Sequence, residues 1–228
     1  MKAILSTALF AATLHAFALS PATYSASWSG AQIIPDNNAS GIAFPFNISA
    51  PNPSYISGVT VNLNIAGGWN GDLYAYLSHG SGFSVLLNRV GRTALDADGF
   101  GASGFNISLA DANVTDIHDF SGSPVNGGFA PDGRGINPFN TLDTSPRNAM
   151  LGNFTAYDPN GAWTLFFADV APTAVSTIQS WTVSIEAVPE PSVMGIGVLG
   201  TMAFAVRGAH IRSMRSMRRI FTNQTSRL

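Results

Sequence analysis

The stretch from Gly161 to Val188 constrains this chain more than any other. Its first part, Ala162–Asp169, gathers Trp163, Leu165, Phe166 and Phe167 into a run short enough for a buried strand. Its second part, Gln179–Ala187, alternates: Trp181, Val183 and Ile185 share one face, and Thr182, Ser184 and Glu186 the other. Pro172 and small polar residues between them mark a surface connection, so the two strands are expected to form a closing hairpin. Two indoles on consecutive strands bring roughly 150–250 Å² of apolar surface each. The upstream chain must supply a second sheet to cover them.

The rest of the chain suits that demand. Charged residues make up 11% of the 228, against 23 Gly and 13 Pro, which is the composition of short strands joined by many turns. No cysteine is present, which excludes a disulfide framework and a thiolate metal site. All 13 acids lie between Asp36 and Glu190 beside only Arg89, Arg92, Arg134 and Arg147, so this body carries −9 while six arginines crowd the segment from Arg207 onward. So acidic a body repels nucleic acid and favours cations.

Ile56–Ile65 is the most regular segment, with Val59, Val61, Leu63 and Ile65 alternating with Thr60, Asn62 and Asn64. Shorter strands are expected around Gly41–Ile48, at Leu73–Leu77 paired with Phe83–Leu87, and at Phe105–Leu109. Asp111–Arg147 has no periodic run, and a loop of that length in a compact domain argues for function, ion binding or mobility. No helix signal lies between Trp28 and Ala187. The expected body is all-β, a single jelly-roll-like β-sandwich over residues 33–187.

The ends carry different signals. Met1-Lys2, the apolar run Ala3–Leu14 and Ala16-Phe17-Ala18 have the three parts of a secretory signal peptide over residues 1–18, followed by a leader segment over 19–32. At the other end, residues 188–228 comprise Val188-Pro189-Glu190-Pro191-Ser192, the apolar run Val193–Val206, and Arg207 with further arginines. Each terminal apolar run is expected to be a short helix.

Several blocks, in order, resemble the P domain (P/Homo B domain) of subtilisin-like proprotein convertases. They are I-P-D-N at Ile34–Asn37, I-S-G-V-T-V-N-L-N-I at Ile56–Ile65, G-D-L at Gly71–Leu73, D-I-H-D at Asp116–Asp119, and N-G-A-W-T-L with I-Q-S-W-T-V-S-I in the closing stretch. The resemblance implies a β-sandwich that supports a neighbouring catalytic domain. The protease itself is not written here: no Asp, H-G-T-H-like and G-T-S-M-like set occurs, and no catalytic residue is expected. The C-terminal tripartite resembles a PEP-CTERM sorting signal. That implies an exosortase partner and a Gram-negative host, with Pro189, Glu190 and Pro191 as the sorting motif. Val193, Val206 and Arg207 flank a segment that pauses in the inner membrane while arginines stay cytoplasmic.

Among chemistry-bearing residues, Asp36, Asp72, Asp116 and Asp119 recur at loop positions near strand ends. They can serve as hard oxygen ligands for Ca²⁺, which some P domains hold, or as turn-forming aspartates. His118 is expected to be a surface-loop histidine rather than a base. Tyr74 and Tyr76 can stack on sugars or pack beneath the long loop. The leading expectation is an exported, non-catalytic cell-surface or extracellular-matrix protein. An accessory subunit for a separate subtilisin-like protease and a carbohydrate-binding module are its alternatives.

Overall fold

A computed structural model describes residues 20–190, apart from 52 and 81. The segment expected to be a signal peptide, the apolar run Val193–Val206, Arg207 and Pro191 lie outside those residues. Nine strands are present among the described residues: β1 Ala22–Ile33, β2 Asn38–Ile48, β3 Ser54–Gly67, β4 Leu73–His79, β5 Gly82–Asn88, β6 Phe105–Leu109, β7 Val125–Phe129, β8 Gly161–Asp169 and β9 Ser176–Pro189. They form a sandwich of a five-stranded sheet, β1-β9-β3-β6-β7, on a four-stranded sheet, β2-β8-β4-β5. Three short 3-10 turns, Asn70–Asp72, Ile117–Asp119 and Leu151–Phe154, are the helical elements among the described residues.

The expected hairpin is not one. β9 pairs with β1 and β3, whereas β8 pairs with β2 and β4, so the two Trp-bearing strands lie in opposite sheets. With one indole in each sheet, both are buried between the layers, which a two-stranded hairpin exposed on one side could not achieve. Phe46 of β2 stacks on its strand neighbour Trp163 at 6.3 Å and 14° and, across the core, tilts onto Trp181 at 5.4 Å. Trp163 is fully buried and donates from Nε1 to the Pro159 carbonyl at 2.9 Å. Val61, Leu63, Ile65, Leu77, Leu165 and Val183 fill the layer around them.

Two strands were not legible in the sequence. β1 occupies most of the expected leader and pairs with β9 from Ala22↔Ala187 to Ser29↔Ser180. Its inward residues Ala22, Tyr24, Ala26 and Trp28 do alternate with Thr23, Ser25, Ser27 and Ser29, but Ala and Ser differ too little in polarity to declare the period. β7 hides in the Gly- and Pro-rich segment after Asp111. It is V-N-G-G-F, and glycines at its centre depress strand propensity until a parallel partner, β6, fixes it.

That segment is not a free loop either. Gly133 and Asp132 donate backbone N–H groups to the Val85 and Leu86 carbonyls at 2.9 and 3.1 Å, and Val85 donates to Ala149. The segment thereby sheathes the otherwise open edge at β5, which blunts a sheet edge that could recruit another chain.

If the aromatic wedge organises the core, Phe46→Ala should destabilise the fold by about 3 kcal/mol, while Leu95→Ala, at a fully exposed position, should cost under about 0.5 kcal/mol. Urea unfolding followed by tryptophan fluorescence measures both.

Candidate functional site

The sequence-flagged acids divide into two neighbourhoods. Asp116 caps the Ile117–Asp119 turn, accepting from the His118 N–H at 3.0 Å. Its other oxygen lies 2.9 Å from Arg134 Nη1 and 3.3 Å from Arg147 Nε. Asp119 is exposed at the end of the same turn. Asp36 sits exposed on the β1–β2 turn, and Asp72 is buried where the Asn70–Asp72 turn enters β4.

His118, expected on the surface, is fully buried. Burial acts to lower its pKa, but a hydrogen bond and ion pair with Asp132 outweigh that and raise it. Geometry agrees: Nδ1 lies 2.7 Å from Asp132 Oδ2, and Nε2 lies 3.0 Å from the Arg92 carbonyl. Both ring nitrogens thus face acceptors, the arrangement of an imidazolium. Asp132, also fully buried, accepts in addition from the Asn88 N–H at 3.2 Å and from Arg134 Nη1 at 3.3 Å. Arg134 then reaches the Leu142 and Asp143 carbonyls, tying the covering segment to the core. Asp132 and Arg134 were invisible as a site in the sequence, where P-D-G-R at Pro131–Arg134 reads as an ordinary turn. The network uses every strong titratable group it contains to hold backbone in place.

The second neighbourhood joins Asp72 to Asp169, which ends β8 opposite Leu73. Asp169 is fully buried, with Oδ1 accepting from Ala171 at 3.3 Å and Oδ2 without a protein partner. Burial pushes the pKa of both carboxyls up to about 6, with the negative charge of Asp36 adding to it and Arg89 opposing. Arg89 stands 3.9 Å from Asp72 and donates to the Gly71 carbonyl. Asp36 and Asp72 therefore share one neighbourhood with Asp169, while Asp116 is engaged by arginines. No three carboxylate or imidazole groups among the described residues are arranged to hold a metal ion.

The tyrosines lie on the outer face of the four-stranded sheet and pack on neighbours. Tyr76 stacks on Phe166 at 4.6 Å and 18° and meets Phe83 at 5.1 Å and Tyr74 at 5.9 Å. Burial pushes the Tyr74 phenol up to about 12. Of the residues expected to form a sorting motif, Pro189 ends β9 opposite Ser54, and the Glu190 N–H donates to the Pro53 carbonyl at 3.0 Å.

No family model and no curated protein matches this sequence. Among solved structures, the complex of the Aeromonas sobria serine protease with its chaperone is similar at a TM-score of 0.43 and 13% identity, over 77% of this chain and 28% of that one. The Aeromonas sobria serine protease alone gives 0.41 and 12%, over 75% and 28%. This chain thus spans little more than a quarter of the chains it matches.

The electrostatics fix the sign of the pH response. The His118 contribution is complete below its unfolded value of about 6.5 and is lost as pH rises through its higher folded value. Asp72 and Asp169 bind protons more tightly when folded, so their ionisation costs stability as pH rises from about 4 to about 6. Both effects run the same way: in metal-free buffer the melting temperature should be higher near pH 5 than near pH 8. Asp169→Asn should raise it at pH 8 and flatten the profile. Arg134→Ala removes the cation shared by Asp132 and Asp116, leaving His118 and Arg147 as their remaining partners, and should cost about 3 kcal/mol at neutral pH, measured by urea unfolding.

Proposed function

We propose that this chain is an exported, non-catalytic β-sandwich that works at the cell surface or in the extracellular matrix, delivered there by exosortase-dependent sorting. The observation carrying the non-catalytic part is the sealed network of His118, Asp132, Arg134 and Asp116. The one histidine–aspartate pair in the sandwich spends both imidazole nitrogens on structural acceptors, so it has no lone pair to act as a base and no path to solvent. The sorting part rests on the sequence. A signal peptide at one end and the P-E-P motif with its apolar run and arginines at the other make a two-ended address. The observed end of β9 at Pro189 suits such an address, because the motif begins where the sandwich stops.

A second reading is an accessory subunit that steadies a separately encoded subtilisin-like protease. The order of blocks shared with the P domain favours it.

Fractionation of a Gram-negative host that carries an exosortase tests the first reading. The full chain should be found outside the cytoplasm in a processed form shorter at its C-terminus. Changing Glu190 to Ala should leave the uncut form in the inner membrane. Cytoplasmic retention of the full-length chain would refute export. Co-purification with a host subtilisin-like protease, with a gain in that protease's thermal stability, would instead establish the accessory role.

A further inference from the structure

We infer that the outer face of the five-stranded sheet binds a neutral polysaccharide. This deepens the extracellular reading, on which it rests for the place where such a polymer is met.

Strand register puts the polar residues of this face into rows. One row crosses all five strands as Ser29, Ser180, Asn64, Asn106 and Asn126. The next runs Ser27, Thr182, Asn62 and Ser108, ending at Gly128. A shorter third row pairs Ser25 with Ser184 and Ser184 with Thr60. Strand geometry spaces these side chains by about 4.8 Å across the sheet and about 6.7 Å along each strand. The result is a grid of hydroxyl and amide groups.

The middle of this grid is hollowed. Asn62, Asn64, Asn106, Ser108, Ser180 and Thr182 line a shallow groove of about 430 Å³ across β9, β3 and β6. Their neighbours on the inward face, Val61, Leu63, Ile107, Trp181 and Val183, are buried, so the lining rests on a rigid support. Side-chain hydrogen bonding on this face lies at its margins, where Ser25 meets Ser184 at 3.0 Å and Asn126 donates to the Pro124 carbonyl. The six groove side chains make no hydrogen bond to another described protein group. Each amide offers two donors and an acceptor, and each hydroxyl offers one donor and two acceptor sites.

What the groove carries decides its ligand class. A solvated sheet face commonly mixes charges of both signs among its polar groups. Here three strands contribute six polar side chains and no charge, while Glu186 stands at the far end of β9 opposite Thr23 and Gly58. A nucleic acid or an anionic polymer would need lysines or arginines, and the body around the groove is net negative. A protein partner would need exposed aromatic or arginine anchors, which the lining does not supply. A chain of uncharged sugars presents closely spaced hydroxyls that both donate and accept. Amides and hydroxyls at fixed spacing answer that chemistry, directly or through bridging water. The repetition of like side chains along each row also suits a repeating polymer, which can bind in more than one register.

Affinity electrophoresis of the purified full chain, in mild detergent, tests the assignment. Native gels would hold a neutral glucan, a neutral mannan, a neutral galactan or an anionic polyuronate. Retardation is expected in at least one neutral gel and not in the polyuronate. The double variant Asn62→Ala/Asn106→Ala should weaken binding about tenfold or more, from loss of two amides, with an unchanged melting temperature showing that the fold is intact. Phe83→Ser, on the outer face of the other sheet, should bind as the parent does. No retardation in any neutral gel, retardation only in the polyuronate, undiminished binding by the double variant, or loss of binding in Phe83→Ser would each overturn the proposal. Binding in vitro and fractionation in cells are separate readouts, so this assignment and the extracellular reading can fail independently.

Discussion

Everything in this structure depends on two indoles being covered from opposite sides. Trp163 and Trp181 enter the core from different sheets, and Phe46 lies between them, so burying the aromatics and joining the sheets are one event. Phe44 extends the same layer, meeting Trp28 at 5.1 Å and Trp181 at 5.8 Å. Since β8 and β9 occupy interior positions of their sheets, each then templates two neighbours. The final third of the chain thus holds together strands that precede it by more than a hundred residues.

The buried ionic network solves a different problem. The segment after β7 has few apolar residues to fasten it, yet it must cover the edge at β5. Asp132 and Arg134 supply the fastening by charge-assisted bonds to His118, Asp116 and backbone groups. Such a cluster tolerates little damage at its centre, because removing Asp132 leaves the buried His118 without its ion-pair partner. A histidine between two aspartates looks like chemistry in a linear sequence. In the folded chain its charge is consumed in holding a loop.

The distribution of charge also separates the surfaces. Acidic groups gather at turns and strand ends, where burial and the nearby charge of Asp72 raise the pKa of Asp169, while the middle of the outer face of the five-stranded sheet is left to Ser, Thr and Asn. The aromatic strip on the opposite face is satisfied mainly by its own contacts. The recognition surface inferred for this sandwich therefore consists of uncharged hydrogen-bonding groups supported from beneath by core residues.

By itself, the sequence determined that the body is all-β, and it located most strands: Phe105–Leu109 falls where its alternation places it, and Val59 to Ile65 point inward as their period requires. Period is a local property of the backbone, since neighbouring side chains in a strand must point to opposite faces. Which sheet each strand joins is not local. Only the tertiary structure decided that β8 and β9 separate, that Ala- and Ser-rich residues 22–33 pair with β9, and that V-N-G-G-F becomes a strand against β6. The site followed the same division. Asp36 and Asp72 were visible as loop acids, but Asp169 comes beside Asp72 only through β4–β8 register, and His118 meets Asp132 only when the covering segment folds back. Likewise, single Asn, Ser and Thr residues say nothing in sequence. Alignment of four antiparallel strands and one parallel strand makes them a surface, because register converts separate period-two patterns into shared rows.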